Sequence, residues 1–483
     1  MLKRYFLSNL LVLILLNVLV KPVWIFLIDR NVQLTVGHQE YGLYAALLSL
    51  TVIFNILLDF GVTNFNNRSI ANDSSLMHLS LPNMIAAKGL FSLVYFFVIF
   101  VVAFFFHYSG DALYILFLLG IVQFLNSFLQ FLRSNVSANH DFKIDGLLSV
   151  LDKFVMIGVC GFLLLNETYK NRFIIEWYLY AQLGAYVLSI LVSVIIIIKR
   201  YANIDFQHFS WKEMKSFCVR SMPYALLILL MGVYMRCDSL LLERIDGPEI
   251  NSIYAEAYRI LDALNMIGFL LAGILLPMFT RLIARAIQVN EIVRTSANII
   301  IAISLCILAH SILYRQDIML LLDTHAAADL PLIYLFVIAA FPAFCAIYIY
   351  STLLTANGDI FLLIRIALTA CLISISLNLL LIPHLHAVGA GIAALIVQTT
   401  VASCCIYFSI KRFGLKADLP WIGKFILLFS ALFLLNVACK YLQVTLLLSI
   451  VINMLAFLLL VYSIRLWDTE TIRSYIRQYK SSE

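Results

Sequence analysis

Apolar runs of about 17 to 27 residues recur along the whole chain, and this repetition decides what it can fold into. At 1.5 Å per residue, a helix of that length crosses a hydrocarbon core of ~30 Å. Hydrophobic residues make up 63% of 483, charged residues only 12%, and the mean hydropathy is +0.98. A soluble domain carries about 25% charged residues. The chain reads as an all-α integral membrane protein with fourteen transmembrane helices, near residues 6–28, 41–65, 82–106, 112–132, 147–165, 174–198, 221–242, 253–279, 297–314, 330–354, 361–382, 387–409, 421–439 and 442–464.

The first run continues past Lys21 and Pro22 to Ile28. It is too long for a signal h-region and has no small-residue cleavage site, so no cleavable signal peptide is expected. All nine Cys fall within or at the edge of apolar runs and read as small core residues rather than a disulfide framework or metal set. His310, His325, His384 and His386 are not spaced as a metal site. With the N-terminus taken as cytoplasmic, 19 Lys and Arg fall on the loops and tails of that side and 6 on the other. The positive-inside rule then places both termini in the cytoplasm, in agreement with an even span number.

No connection is long. The largest outer one, Arg315 to Asp329, has about 15 residues by this reading. The largest inner one, Lys199 to Arg220, carries Trp211 and reads as a segment lying along the interface. There is no nucleotide-binding glycine loop, so energy from ATP would have to come from another polypeptide. No cofactor and no nucleic-acid partner are expected.

A weak repeat runs through the chain. Ala138-Asn139-His140-Asp141 returns as Ala356-Asn357-Gly358-Asp359, Tyr44-Ala45 as Tyr254-Ala255, and Arg68-Ser69-Ile70-Ala71 as Arg281-Leu282-Ile283-Ala284, all at offsets between 210 and 218. Three matches in one order with nearly one offset read as two copies of a six-helix unit. An even helix count keeps both copies in the same orientation, and transporters with parallel halves place a substrate cavity between them. The expected division is 1–200 and 201–412 as two six-helix lobes, followed by two extra helices and a tail over 413–483.

The most unusual stretch is Ser221 to Ala284. Arg236, Asp238, Glu256, Arg259 and Asp262 sit there among Leu, Ile, Met, Ala and Phe. Such residues are expensive in hydrocarbon and are held against each other, a cavity or a substrate.

Three segments carry a resemblance: Lys21-Pro22-Val23-Trp24-Ile25-Phe26-Leu27-Ile28-Asp29-Arg30, then Val36-Gly37-His38-Gln39-Glu40-Tyr41-Gly42-Leu43-Tyr44, then Leu58-Asp59-Phe60-Gly61-Val62-Thr63-Asn64-Phe65. Together with Gly247 to Leu261, they resemble Wzx-type oligosaccharide flippases, particularly Bacteroidetes ones, of the superfamily that holds MATE exporters and MurJ-type lipid II flippases. The resemblance implies a V-shaped pair of lobes that moves undecaprenyl-diphosphate-linked oligosaccharides across the bacterial inner membrane, and no enzymatic activity. It also implies the polysaccharide polymerase and chain-length machinery as partners. In the lipid II branch, cationic residues meet the diphosphate; the matching type here is Arg259 in helix eight, with Lys21 or Arg30 in helix one.

Lys21, Arg236 and Arg259 each lie roughly 10 Å below the outer surface, and Arg forks suit phosphate oxygens. They are the expected headgroup site. The competing reading is internal pairing, since Glu256, Arg259 and Asp262 are spaced i, i+3, i+6. Asp59, Asp238, Glu256 and Asp262 are candidates for H⁺ or Na⁺ coupling or for plain ion pairs. Lys88, Asp152, Lys153 and Arg365 lie near the inner ends of their spans, where snorkelling of the cations is expected and competes with a cytoplasmic entry site for the diphosphate, to which Lys153 and Arg365 would belong. Pro22 is the expected hinge of helix one.

Two other functions compete. A MATE-like exporter of small amphipathic cations would want a net negative cavity, whereas the deep charges number six cationic to five anionic by this count. A membrane polymerase or glycosyltransferase would need larger outer loops than these.

Overall fold

Helix one does not stop at Ile28. The computed structural model describes residues 20, 23–61, 63, 70, 77–139, 141–201, 211–322, 327–415 and 418–466, without the side chains of 77–83, 142, 211–221 and 277. Lys21, Pro22, Arg68 and His325 lie outside those residues. A π-helical stretch, Trp24–Asp29, leads into α1 (Arg30–Val36), which ends at Gly37. There φ is +88°, a conformation that costs a residue with a Cβ. The charges at Asp29 and Arg30 therefore lie inside the helical segment, eight and seven residues short of Gly37, where it turns.

The second helix, α2 (His38–Ile53), corrects its expected end at 65 in the other direction. A 3₁₀ turn, Asn55–Leu58, follows it, and Phe60 and Gly61 both take positive φ. Then come α3 (Met77–Phe105), α4 (Asp111–Ala138), α5 (Phe142–Leu165), α6 (Ile175–Arg200), α7 (Trp211–Asp246), α8 (Pro248–Ala284) and α9 (Asn290–Leu322). Trp211 opens α7, so residues 211–220 are its first turns and not a separate interfacial segment. Likewise α9 continues through a non-helical Tyr314 to Leu322, which shortens the expected loop from Arg315.

One apolar span holds α10 (Leu330–Ala339) and α11 (Phe341–Ala356), divided where Pro342 starts the second helix. The long α12 (Ile360–Phe413) contains two of the expected spans, separated by a non-helical His386 just after Pro383. Last are α13 (Leu419–Tyr441) and α14 (Leu446–Ser463). Among the described residues 11 helical segments are long and apolar enough to cross a membrane, and no strand occurs. The fold is the all-α membrane architecture expected.

Contacts gather the chain into two units, Met1–Glu256 with Asn378–His386, and Ala257–Leu377 with Ala387–Glu483. In the first, α4 lies against α6 and α2, and α7 lies along α2. The approach of the chain at Gly42 is very close. A Cβ there would fall 1.6 Å from the Pro248 carbonyl oxygen, so only glycine fits. In the second unit α9 is the central helix, touched by α10, α11, α13 and α14. The large side chains left outside are those that suit lipid, with Phe97, Phe104 and Leu447 more than two-thirds exposed.

Polar side chains join helices inside both units. In the second, Asn436 donates to Asn453 Oδ1 at 2.8 Å and lies 2.9 Å from His310 Nδ1, while Asn453 Nδ2 contacts Cys306 Sγ at 3.1 Å. That network ties α13 and α14 to α9 through groups that hydrocarbon would otherwise leave unsatisfied.

Candidate functional site

The charged stretch of α7 and α8 is deeply placed. Asp238, Glu256 and Arg259 are each at most 5% exposed, and Arg236 and Asp262 are half-buried. Asp238 is the best-held of the group. Tyr254 on α8 donates its hydroxyl to Asp238 Oδ2, and the Ser239 backbone N–H donates to Oδ1 at 2.8 Å. Arg236, two residues earlier on the same helix, acts electrostatically on the same carboxyl.

The hydrogen bonds continue outward from there. Ser239 donates to Asn251 Oδ1 at 2.9 Å, and Asn251 donates to the Gly42 carbonyl at 2.8 Å. Gln33 on α1 donates to both the carbonyl and the hydroxyl oxygen of Ser252, and His38 Nδ1 lies 3.1 Å from that hydroxyl. Gln33, Asn251 and Ser252 are all buried, so these bonds are made away from water and hold α1 and α2 to the start of α8.

Asp59 has a definite partner. Lys88 Nζ stands 2.7 Å from its Oδ1 and also donates to Ser127 Oγ at 2.9 Å and to the Leu58 carbonyl at 3.3 Å. Lys88 is 1% exposed and faces the Phe131 ring. This corrects the snorkelling expected of Lys88, because an ammonium so enclosed is held by its carboxylate instead. Lys153 is engaged as well: its Nζ lies 3.0 Å from Asp152 Oδ2 and 4.3 Å from the Trp24 ring centre. Arg365 is exposed, and Arg30 is half-buried at the start of α1. Lys21 and Pro22 fall outside the described residues.

Asp29 is a half-buried carboxylate that sequence reasoning missed. It accepts from the hydroxyls of Tyr41 at 2.8 Å and Tyr178 at 3.0 Å, one from α2 and one from α6. The signal was present, an acid flanked by apolar residues and Arg30, but taking Ile28 as the end of the span set it in a loop.

The repeated motif is duplicated in structure too. Asp141 closes the corner between α4 and α5 and accepts from Tyr201 and Arg200 at the end of α6. Asp359 closes the corner between α11 and α12 and accepts from Arg412 at the end of α12, with Asn357 donating at 2.7 Å. Both corner aspartates take similar backbone angles, φ −87° and ψ 57° against φ −76° and ψ 42°.

Residues 6–283 match the model of a family described as polysaccharide biosynthesis protein. The chain belongs to that family. No curated protein matches the sequence. Among solved structures, the fold is similar to that of the lipid II flippase MurJ in an inward closed conformation, with a TM-score of 0.65 at 14% identity over 94% of this chain and 97% of that one. It is also similar to an inward-facing MATE family multidrug resistance transporter of the MOP superfamily (TM-score 0.62, 15% identity, 81% and 94% covered). A third likeness is to the Vibrio cholerae MATE transporter VcmN in its bent form (TM-score 0.57, 14% identity, 84% and 96% covered). The resemblance read from the sequence is borne out: this member of the polysaccharide biosynthesis family has the MOP superfamily fold.

Proposed function

We propose that the protein is a flippase that moves undecaprenyl-diphosphate-linked oligosaccharide repeat units from the cytoplasmic to the periplasmic leaflet of the bacterial inner membrane. The reading rests on one conjunction: a polysaccharide biosynthesis chain has the fold of a lipid II flippase and keeps a buried arginine, Arg259, at 5% exposure within a membrane span. A glycan on a lipid diphosphate brings concentrated negative charge, which a guanidinium fork matches in a low-dielectric site.

In this reading Arg259 and Arg236, with Lys21 and Arg30 from helix one, orient the headgroup, and Lys153 and Arg365 meet it on the inner side. The two halves, 1–200 and 201–412, alternate access around it. Asp59, Asp238, Glu256 and Asp262 supply the proton or sodium coupling or the ion pairs that hold the cations, and Pro22 is the hinge. No bond is made or broken in the substrate. Both termini face the cytoplasm.

The test follows lipid-linked repeat units in a strain lacking the protein, complemented by wild type, Arg259→Ala or Arg236→Ala, each verified in the membrane. Units that accumulate facing the cytoplasm, and that wild type but neither variant clears, support the reading. Normal arrival of the units in the periplasm without the protein would overturn it, and export of amphipathic cations becomes the function to assay.

A further inference from the structure

The outer surface of the first unit carries a cleft that the transport reading does not use. It has a volume of about 510 Å³ and lies between α5 and α6, at the end where the turn 166–174 joins them. Val155, Val159 and Leu163, spaced four apart, form one wall, and Ala181, Gly184 and Ala185 form the other. A Cβ added at Gly184 would meet nothing within 4 Å, so the missing side chain leaves open space rather than a packed contact. The mouth is aromatic, with Tyr169, Trp177 and Tyr180 around it, and Tyr180 is held by a 2.6 Å hydrogen bond to Tyr114.

The turn above the cleft is ordered and basic. Asn166 accepts from the Thr168 N–H, and the Arg172 and Phe173 N–H groups donate back to Tyr169 and Lys170. Tyr169 and Trp177, which line the cleft, are anchored against Phe162 and Phe173, so the turn that carries Lys170 and Arg172 is held beside it. Both cations are exposed, and neither makes an ion pair with any described residue. Glu167 shares the turn and Glu176 opens α6, yet neither carboxylate is paired with them. An apolar slot next to a turn with two exposed cations that make no ion pair with a described residue has the polarity of one lipid molecule, alkyl chain in the slot and phosphate at the turn.

We propose that this cleft seats one acyl chain of an anionic phospholipid, with Lys170 and Arg172 on its phosphate. The site concerns the bilayer around the protein and stands whatever the transported molecule is.

Trp177 provides the readout. Full-length protein would be reconstituted with phosphatidylglycerol or phosphatidylcholine brominated on the acyl chain, and the Trp177 contribution taken as the difference between wild type and Trp177→Phe. Phosphatidylglycerol is expected to quench at about a fivefold lower mole fraction, the scale that basic side chains at an anionic surface supply. Lys170→Gln with Arg172→Gln should make the two lipids equal, and Gly184→Leu should weaken quenching by both while the melting temperature stays put. Equal quenching of wild type by the two lipids would overturn the site, as would a preference for phosphatidylglycerol that survives in the double variant.

Discussion

Lys88 shows what a sequence withholds at the scale of one residue. Its position near the inner end of a helix predicts a long side chain reaching for the interface, and its partner Asp59 lies 29 residues away with no periodicity to connect them. The structure encloses the ammonium instead, among Asp59, Ser127 and the Phe131 ring. Removing one member of a buried pair leaves the other charge uncompensated, a loss on the order of 3 kcal/mol. Lys88→Met should therefore lower the melting temperature markedly, and adding Asp59→Asn should recover most of it. A double variant as unstable as the single one would show that Asp59 is not what Lys88 satisfies. Asp238 was legible as a polar residue in a helix, whereas its donor was not, because Tyr254 reads as an ordinary aromatic in an apolar run. Tyr254→Phe removes a buried hydrogen bond, worth roughly 1 kcal/mol. A thermal-shift comparison with Tyr224→Phe, at an exposed position of α7, separates that bond from the general effect of losing a hydroxyl.

Element boundaries were legible wherever apolar runs meet turns, and misread wherever a charge was taken as a boundary. Helix one passes Asp29 because Tyr41 and Tyr178 satisfy the carboxylate, and it ends at Gly37, where the backbone itself turns. Close approach is set at this scale too. Gly42→Ala would drive a methyl group into the Pro248 carbonyl, forcing α2 away from the start of α8 and breaking the Asn251 bond to the Gly42 carbonyl. Overpacking of this kind costs typically ~1–3 kcal/mol, so G42A should melt well below wild type, whereas Gly184→Ala should not. The corner motif was legible only as a repeat, and the structure supplies its role, since both copies close a helix pair with an aspartate. The Arg412 hydrogen bond holds the Asp359 carboxyl below its ordinary value of 3.8. A lowered folded-state value means that the stabilisation is present at neutral pH and is lost as pH falls through that value. The melting temperature of Asp359→Asn should thus lie a constant step below wild type from about pH 5 to 8 and converge with it below about pH 4. Persistence of the full step at pH 3 would mean that the asparagine fails for another reason.

For the whole molecule the decisive quantity is the parity of the spans. Two copies with the same orientation need an even number of crossings each, and the structural duplicates at Asp141 and Asp359 must then face the same side of the membrane. The first two helical segments are the weak point of that count, because Arg30–Val36 and His38–Ile53 are short and carry charge, and neither is among the 11 segments that satisfy length and hydropathy together. Four exposed positions test it in a variant lacking the native cysteines: Lys143→Cys and Lys411→Cys near the two corners, and Asn171→Cys and Tyr441→Cys on the opposite turns. With a membrane-impermeant maleimide on intact cells, the last two should label and the first two only after lysis. Labelling of Lys143 and Lys411 from opposite sides would break the parallel duplication, since an odd number of helices would then lie between the corners. Labelling of Lys411 and Tyr441 from one side would mean that α13 does not cross, and the two helices after the duplication would no longer form a membrane pair. The excess of Lys and Arg on one set of loops sets the direction of the expected result, and the number of crossings sets its alternation, so the two halves of the topology can fail separately.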